Sequence, residues 1–165
     1  MLKVVVSVFV ASLLIGCAGN STAPQKKSFR SVALKDVILV QKGKDREYCA
    51  RCGMKLAKYY KTSHTAEIGD KKYQYCSFHC LEDHLGEGVT LKNPQVVDVS
   101  SLKFIDVTKA YYVVGSSQPA TMSRISKYAF AKKEDAVAFQ KRYGGKIMDF
   151  YEARKVVQED FKHYR

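Results

Sequence analysis

Two short stretches, Cys49-Ala50-Arg51-Cys52-Gly53-Met54 and Tyr75-Cys76-Ser77-Phe78-His79-Cys80, bracket the segment whose reading decides the fold. Between them, residues 62–68 and 71–76 read as two strands, with Gly69-Asp70 as the tight turn that joins them. Ser77 is a good helix N-cap, and Phe78, Leu81 and Leu85 follow it at helical spacing. Gly86 and Gly88 stop that helix. Residues 96–99 and 104–107 supply further strands.

The same order then recurs. Tyr111-Tyr112-Val113-Val114 reads as a strand and Lys127-Tyr128-Ala129-Phe130 as a second. Residues 134–143 read as a helix with Ala136, Phe139 and Tyr143 on one face, stopped by Gly144-Gly145. Residues 146–150 return as a strand. Asp149 with Glu152 resembles a capping box for a last helix running to about Phe161. The expected fold is α+β: two small strand-strand-helix-strand units in tandem, over residues 46–108 and 109–165, the second ending in a C-terminal helix. The two halves share almost no sequence identity, so the repeat is one of topology.

The N-terminus sets an expected compartment. Residues 1–16 read as a secretory leader, with Lys3 at its positive end and an apolar run too short to span a bilayer. Leu14-Ile15-Gly16-Cys17 resembles the bacterial lipobox, in which the cysteine becomes a lipidated N-terminus. Ala18 follows where an aspartate would favour inner-membrane retention, so the expectation is an outer-membrane lipoprotein facing the periplasm. Residues 17–45 are rich in Gly, Ser, Lys and Gln and read as a flexible tether. Val32-Ala33-Leu34 and Val37-Ile38-Leu39-Val40 offer a short strand within it.

The chain carries a formal net charge of +12. An exported lipoprotein seldom meets nucleic acid, so anionic lipid headgroups or an acidic partner protein fit this charge better. The lysines are scattered, as on a solvated surface.

The chemistry lies in the cysteines. Cys49, Cys52, Cys76 and Cys80, with Met54 and His79 beside them, form a soft donor set that favours Cu(I) or Zn(II) over Mg(II) or Ca(II). Cys76 closes a strand and Cys80 falls in the first turn of the next helix, where the positive helix end favours thiolate. Cys49 and Cys52 lie on a loop that ends at Gly53 and can turn back on itself. A four-thiolate site follows from that placement. Other readings stand beside it. Exported proteins form structural disulfides, and four cysteines besides Cys17 allow three pairings. A redox Cys-x2-Cys needs a helix that starts at the motif, which Gly53 opposes. Buried free cysteines fit the two paired spacings poorly.

His79, between two cysteines, is either a ligand or a solvent-facing helix residue. His64, His84 and His163 read as surface residues, and Met148 as core. Met122 sits in a polar loop, Ser116-Ser117-Gln118-Pro119-Ala120-Thr121-Met122-Ser123, where no core demand explains it.

The leader with its lipobox, Cys49-Ala50-Arg51-Cys52-Gly53-Met54, Phe104-Ile105-Asp106, Ala110-Tyr111-Tyr112-Val113-Val114-Gly115-Ser116, Met122, Ala129-Phe130 and Gly144-Gly145 come in an order that resembles the NosL family. The resemblance covers roughly residues 48–152. It implies a copper-binding lipoprotein associated with assembly of the copper centres of nitrous oxide reductase, and a fold of two strand-strand-helix-strand units. It also implies Cu(I) ligation by Cys52 and Met122, with Met54 a candidate by proximity; zinc makes little use of methionine. Two features depart from the family pattern. Thr121-Met122-Ser123-Arg124 replaces a glycine-rich Met-Gly run, and Tyr75-Cys76-Ser77-Phe78-His79-Cys80 looks like the closing half of a TRASH-type metal-binding domain. The expected function is a lipid-anchored Cu(I) chaperone serving nitrous oxide reductase or its maturation machinery. The alternative is a structural or sensory Zn(II) module on the four cysteines. An enzyme is not expected, because no general-acid carboxylate stands near the cysteine pairs in a catalytic motif.

Overall fold

Strand β1 (His64–Ile68) is the centre of a four-stranded antiparallel sheet in the computed structural model, which describes residues 28–162. The leader, Cys17 and His163 lie outside the described residues. Gly69 takes a φ of 56° and turns the chain into β2 (Lys71–Tyr75), which pairs along the whole of β1. Ser77 then caps α1 (Phe78–Leu85), its side chain accepting the Cys80 N–H at 3.2 Å. The chain crosses to the other edge of β1 as β3 (Lys92–Val97), and β4 (Phe104–Asp106) extends the sheet in the order β2-β1-β3-β4.

The second half repeats this plan. Strand β5 (Tyr111–Val114) is central, flanked by β6 (Lys127–Phe130) on one side and β7 (Lys146–Met148) on the other. Helix α2 (Lys133–Tyr143) makes the crossover and ends at Gly144, whose φ is 72°. In both units the first strand is central and the helix carries the chain over it. The topological repeat expected from the sequence is therefore present. The strand expected over residues 146–150 stops at Met148, because Asp149 is already occupied in capping. Its carboxylate accepts the Glu152 N–H at 2.8 Å and Glu152 accepts the Asp149 N–H at 3.0 Å, opening α3 (Phe150–Lys162).

The units share one interior. Leu56, Tyr75, Phe78 and Leu81 from the first pack in one cluster with Tyr112, Phe150, Ala153 and Val157 from the second. Burying a large apolar side chain is worth about 1.5–3 kcal/mol each, so neither half keeps its stability without the other. A smaller cluster under α2 joins Val113, Tyr128, Phe130, Ala136 and Phe139. Asp98 links the sheets: its carboxylate accepts the Ala131 N–H at 3.1 Å, and Val99 N–H donates to Ala129 C=O at 2.9 Å.

Residues 28–45, read from composition as tether, run along the domain instead. Phe29 packs edge-on against Tyr128 with ring centroids 5.3 Å apart, and Val32 N–H donates to Ala57 C=O at 3.0 Å. The strand offered by residues 32–34 and 37–40 does not form; Leu34–Asp36 is a single 3-10 turn. The reason is that side chains satisfy this backbone. Ile38 N–H donates to the Tyr60 hydroxyl at 3.1 Å, and the buried Gln74 amide bonds both Val40 N–H and Ile38 C=O at 3.1 Å.

Candidate metal centre

The loop before β1 is a tight knuckle. Cys49 N–H donates to Met54 C=O at 2.8 Å and Gly53 N–H to Cys49 C=O at 3.0 Å, with Gly53 at φ 71°. That positive φ is open to glycine and strained for other residues, so Gly53 sets the turn that brings Cys52 back beside Cys49. No helix starts here, and a thioredoxin-like arrangement is absent among the described residues.

Three contacts hold the knuckle against the strand-to-helix junction. Ala50 N–H donates to Gln74 C=O at 2.9 Å on the outer edge of β2. Cys76 N–H donates to Cys49 Sγ at 3.3 Å. Arg51 reaches across to α1, where its Nε donates to Asp83 at 2.8 Å and its Nη2 to Glu87 at 2.7 Å. The four expected thiols then converge. Cys49, Cys52, Cys76 and Cys80 have Sγ atoms that all lie within 4.8 Å of one another. Cys76 is the hub, with Cys52 Sγ at 3.5 Å and Cys80 Sγ at 3.7 Å. All four are free thiols, so the structural-disulfide reading does not describe this arrangement.

The local field favours one resident thiolate. The Cys76 and Cys80 thiols donate towards Cys49, and the N–H groups of Cys52 and Arg51 also point at it; together these hold Cys49 well below the ordinary thiol range. The same donation to Cys49, together with burial, pushes the Cys76 and Cys80 thiols up. Cys49, Cys76 and Cys80 are buried, while Cys52 is half-buried and is the cluster's contact with solvent.

The residues fit a soft metal ion. A tetrahedron of thiolates about 2.3 Å from zinc has edges of about 3.8 Å, close to the Cys52–Cys76 and Cys76–Cys80 separations of 3.5 and 3.7 Å. Cu(I), which takes fewer soft ligands, would use two or three of the same sulfurs.

The other candidates lie around this core. Met54 is half-buried against the apolar cluster that contains Cys49, Cys76 and Cys80. His79 does not join the thiols: its ring stacks on Phe161 of α3 with centroids 4.1 Å apart. Met122 is exposed, at 42 %, and holds a φ of 54° that side-chain-bearing residues seldom adopt. Its loop is pinned on both flanks. The Tyr128 hydroxyl donates to Pro119 C=O at 2.7 Å, Lys127 Nζ to Ile125 C=O at 2.9 Å, and the Arg30 guanidinium to Ala120 C=O. The loop also reaches the metal centre through two hydroxyls, Thr121 and Thr62, that belong to no sequence motif. Thr121 Oγ1 is 2.9 Å from Thr62 Oγ1, which lies 2.7 Å from Cys76 C=O. No sequence signal joins residues so far apart.

Two histidines read as surface residues are not. His64 is 1 % exposed, with Nδ1 3.1 Å from Thr62 C=O and Nε2 3.3 Å from the Tyr112 hydroxyl. It lies at the start of the central strand, where both faces are covered. His84 is largely covered too, its Nδ1 2.8 Å from the Tyr75 hydroxyl. Met148 packs against the main core, as expected.

Fold and site together define a small α+β protein with a thiol-rich metal-binding centre. The chain belongs to the NosL family, whose model matches residues 41–157. Among solved structures it is similar to the copper chaperone NosL from Shewanella denitrificans, with 28 % identity and a TM-score of 0.55. That match covers 68 % of this chain and 92 % of the other. No curated protein matches the chain.

Proposed function

We propose that this chain is a copper(I) chaperone rather than an enzyme. The observation that carries the reading is the convergence of four thiols in a NosL-family fold, with Cys52 alone open to solvent. Cu(I) prefers thiolate and thioether and is content with low coordination. A buried set of three sulfurs with one accessible edge can hold such an ion and still let an incoming ligand displace it. Met54, packed against the apolar cluster that holds three of the cysteines, and the exposed Met122 are the thioether ligands that the family resemblance would add. The relative from Shewanella is itself described as a copper chaperone.

The finer proposals follow from the resemblance and the leader. Copper would be delivered to nitrous oxide reductase or its maturation machinery. The chain would be anchored through a lipid on Cys17, on the extracytoplasmic side. Its net charge of +12 would steer docking onto an acidic face of the partner.

A second reading has one observation in its favour. The separations about Cys76 match the edge of a zinc tetrathiolate, so a structural Zn(II) centre is the competing occupant. Anaerobic Cu(I) titration against a competing chelator tests the first reading with Cys52→Ser. The expected outcome is loss of tight Cu(I) binding with an unchanged circular dichroism spectrum. Unaltered copper affinity in that variant would remove Cys52 from the site and with it the exchange edge.

A further inference from the structure

The cluster holds more sulfur than one Cu(I) ion needs. Two or three soft ligands suffice for Cu(I), and four thiols lie within 4.8 Å of one another. The surplus is arranged asymmetrically. Cys52 is the half-buried member, and Cys76 Sγ lies 3.5 Å behind it. Cys49 is fixed in place by the Cys76 N–H at 3.3 Å, and Cys80 by its place in the first turn of α1, where its N–H bonds the Ser77 cap. An ion arriving from solvent therefore meets Cys52 first, and Cys76 Sγ is 3.5 Å from it, while Cys49, Cys76 and Cys80 are all buried.

In water open to air, copper arrives as Cu(II), which oxidises thiolates. From this arrangement we propose that the Cys52–Cys76 pair reduces incoming Cu(II), while Cys49 and Cys80 retain Cu(I). This inference rests on the copper reading above. In the proposed step two Cu(II) ions each accept one electron. The Cys52 and Cys76 S–H groups lose two protons to solvent, and one S–S bond forms between them. One Cu(I) is caught by Cys49 and Cys80, whose Sγ atoms lie within 4.8 Å of each other, and gains Cys52 as a further ligand once the disulfide is reduced. The second Cu(I) leaves to solvent ligands. The reaction consumes the thiol pair, so an external dithiol must reduce it before the next cycle. Cys76 and Cys80 are also close, at 3.7 Å, but that pair has no member open to solvent, whereas the Cys52–Cys76 pair has Cys52.

The test uses the purified full chain, reduced and anaerobic, with Cu(II) sulfate as the probe and bicinchoninate to report Cu(I). Thiols are then alkylated and each cysteine is mapped by mass spectrometry, Cys17 included. The expected result is Cu(I) formation with a disulfide between Cys52 and Cys76, and Cys49 and Cys80 alkylated once copper is removed. Cys52→Ser should lose both the disulfide and Cu(I) formation. Cys80→Ser should keep both while losing Cu(I) retention. Unreduced Cu(II) with all four thiols intact, or a disulfide between another pair, would overturn the proposal. Cu(I) supplied directly separates the two ideas. If it binds while Cu(II) is not reduced, only the redox step fails; if it does not bind, the chaperone reading fails as well.

Discussion

Thr62 and Thr121 face each other with hydroxyl oxygens 2.9 Å apart, and this contact joins the Met122 loop to the strand end that carries Cys76. Both side chains are buried, so a hydroxyl removed from one leaves the other without this partner. Thr121→Val should therefore cost about 1–2 kcal/mol of stability, the usual toll for an unpaired buried polar group. Thr62→Val should cost more, since Thr62 also meets the Cys76 carbonyl. Urea unfolding of the two variants checks the order. Equal midpoints for wild type and both variants would show that the loop is held by its other contacts alone.

His64 predicts an acid weakness. Complete burial holds its pKa down at about 3, against an ordinary value of 6.5. The Thr62 carbonyl can only accept, so Nδ1 carries the proton of the neutral ring and Nε2 accepts from Tyr112. Between the two pKa values the unfolded chain binds the proton and the folded chain does not. Protonation thus favours unfolding: the contribution is complete above about pH 6.5 and is lost as pH falls towards 3, on the order of 5 kcal/mol in all. His64→Gln should flatten the stability-versus-pH curve across that window. A curve unchanged by the substitution would place the acid sensitivity elsewhere.

Lys127 and Asp160 form an ion pair at 3.1 Å in which both side chains are almost fully buried. Removing one partner strands the other's charge, and Asp160→Ala should destabilise by about 3–5 kcal/mol. Replacing both with apolar residues, Lys127→Met with Asp160→Leu, should recover much of that loss. Thermal unfolding of the single and double variants decides this; a double variant weaker than the single one would show that the pair contributes more than mutual compensation.

Much of this molecule was legible in local sequence. Glycines at positions 53, 69 and 144, the Ser77 cap, the Asp149–Glu152 box and the alternating strands each act within a few residues. They gave the element order, the topological repeat and the four converging cysteines. What was not legible depends on partners distant in the chain. Residues 28–45 look like tether by composition, yet Tyr60 and Gln74 satisfy their backbone from elsewhere. His64 looks like an ordinary polar residue until β2 and β3 close on either side of it. His79 sits between two cysteines, but helical geometry turns it towards Phe161. Thr62 and Thr121 carry no motif at all.

The central claim is that the cluster is built to carry Cu(I), and metal competition tests it most directly. The full chain, reduced and anaerobic, is offered Cu(I) and Zn(II) together, washed with a chelator and examined by metal analysis and X-ray absorption. Retained copper in a low-coordinate sulfur environment, altered by Cys52→Ser, is the predicted result. Retained zinc bound by four sulfurs, with copper lost to the chelator, would contradict it and make this a structural zinc centre.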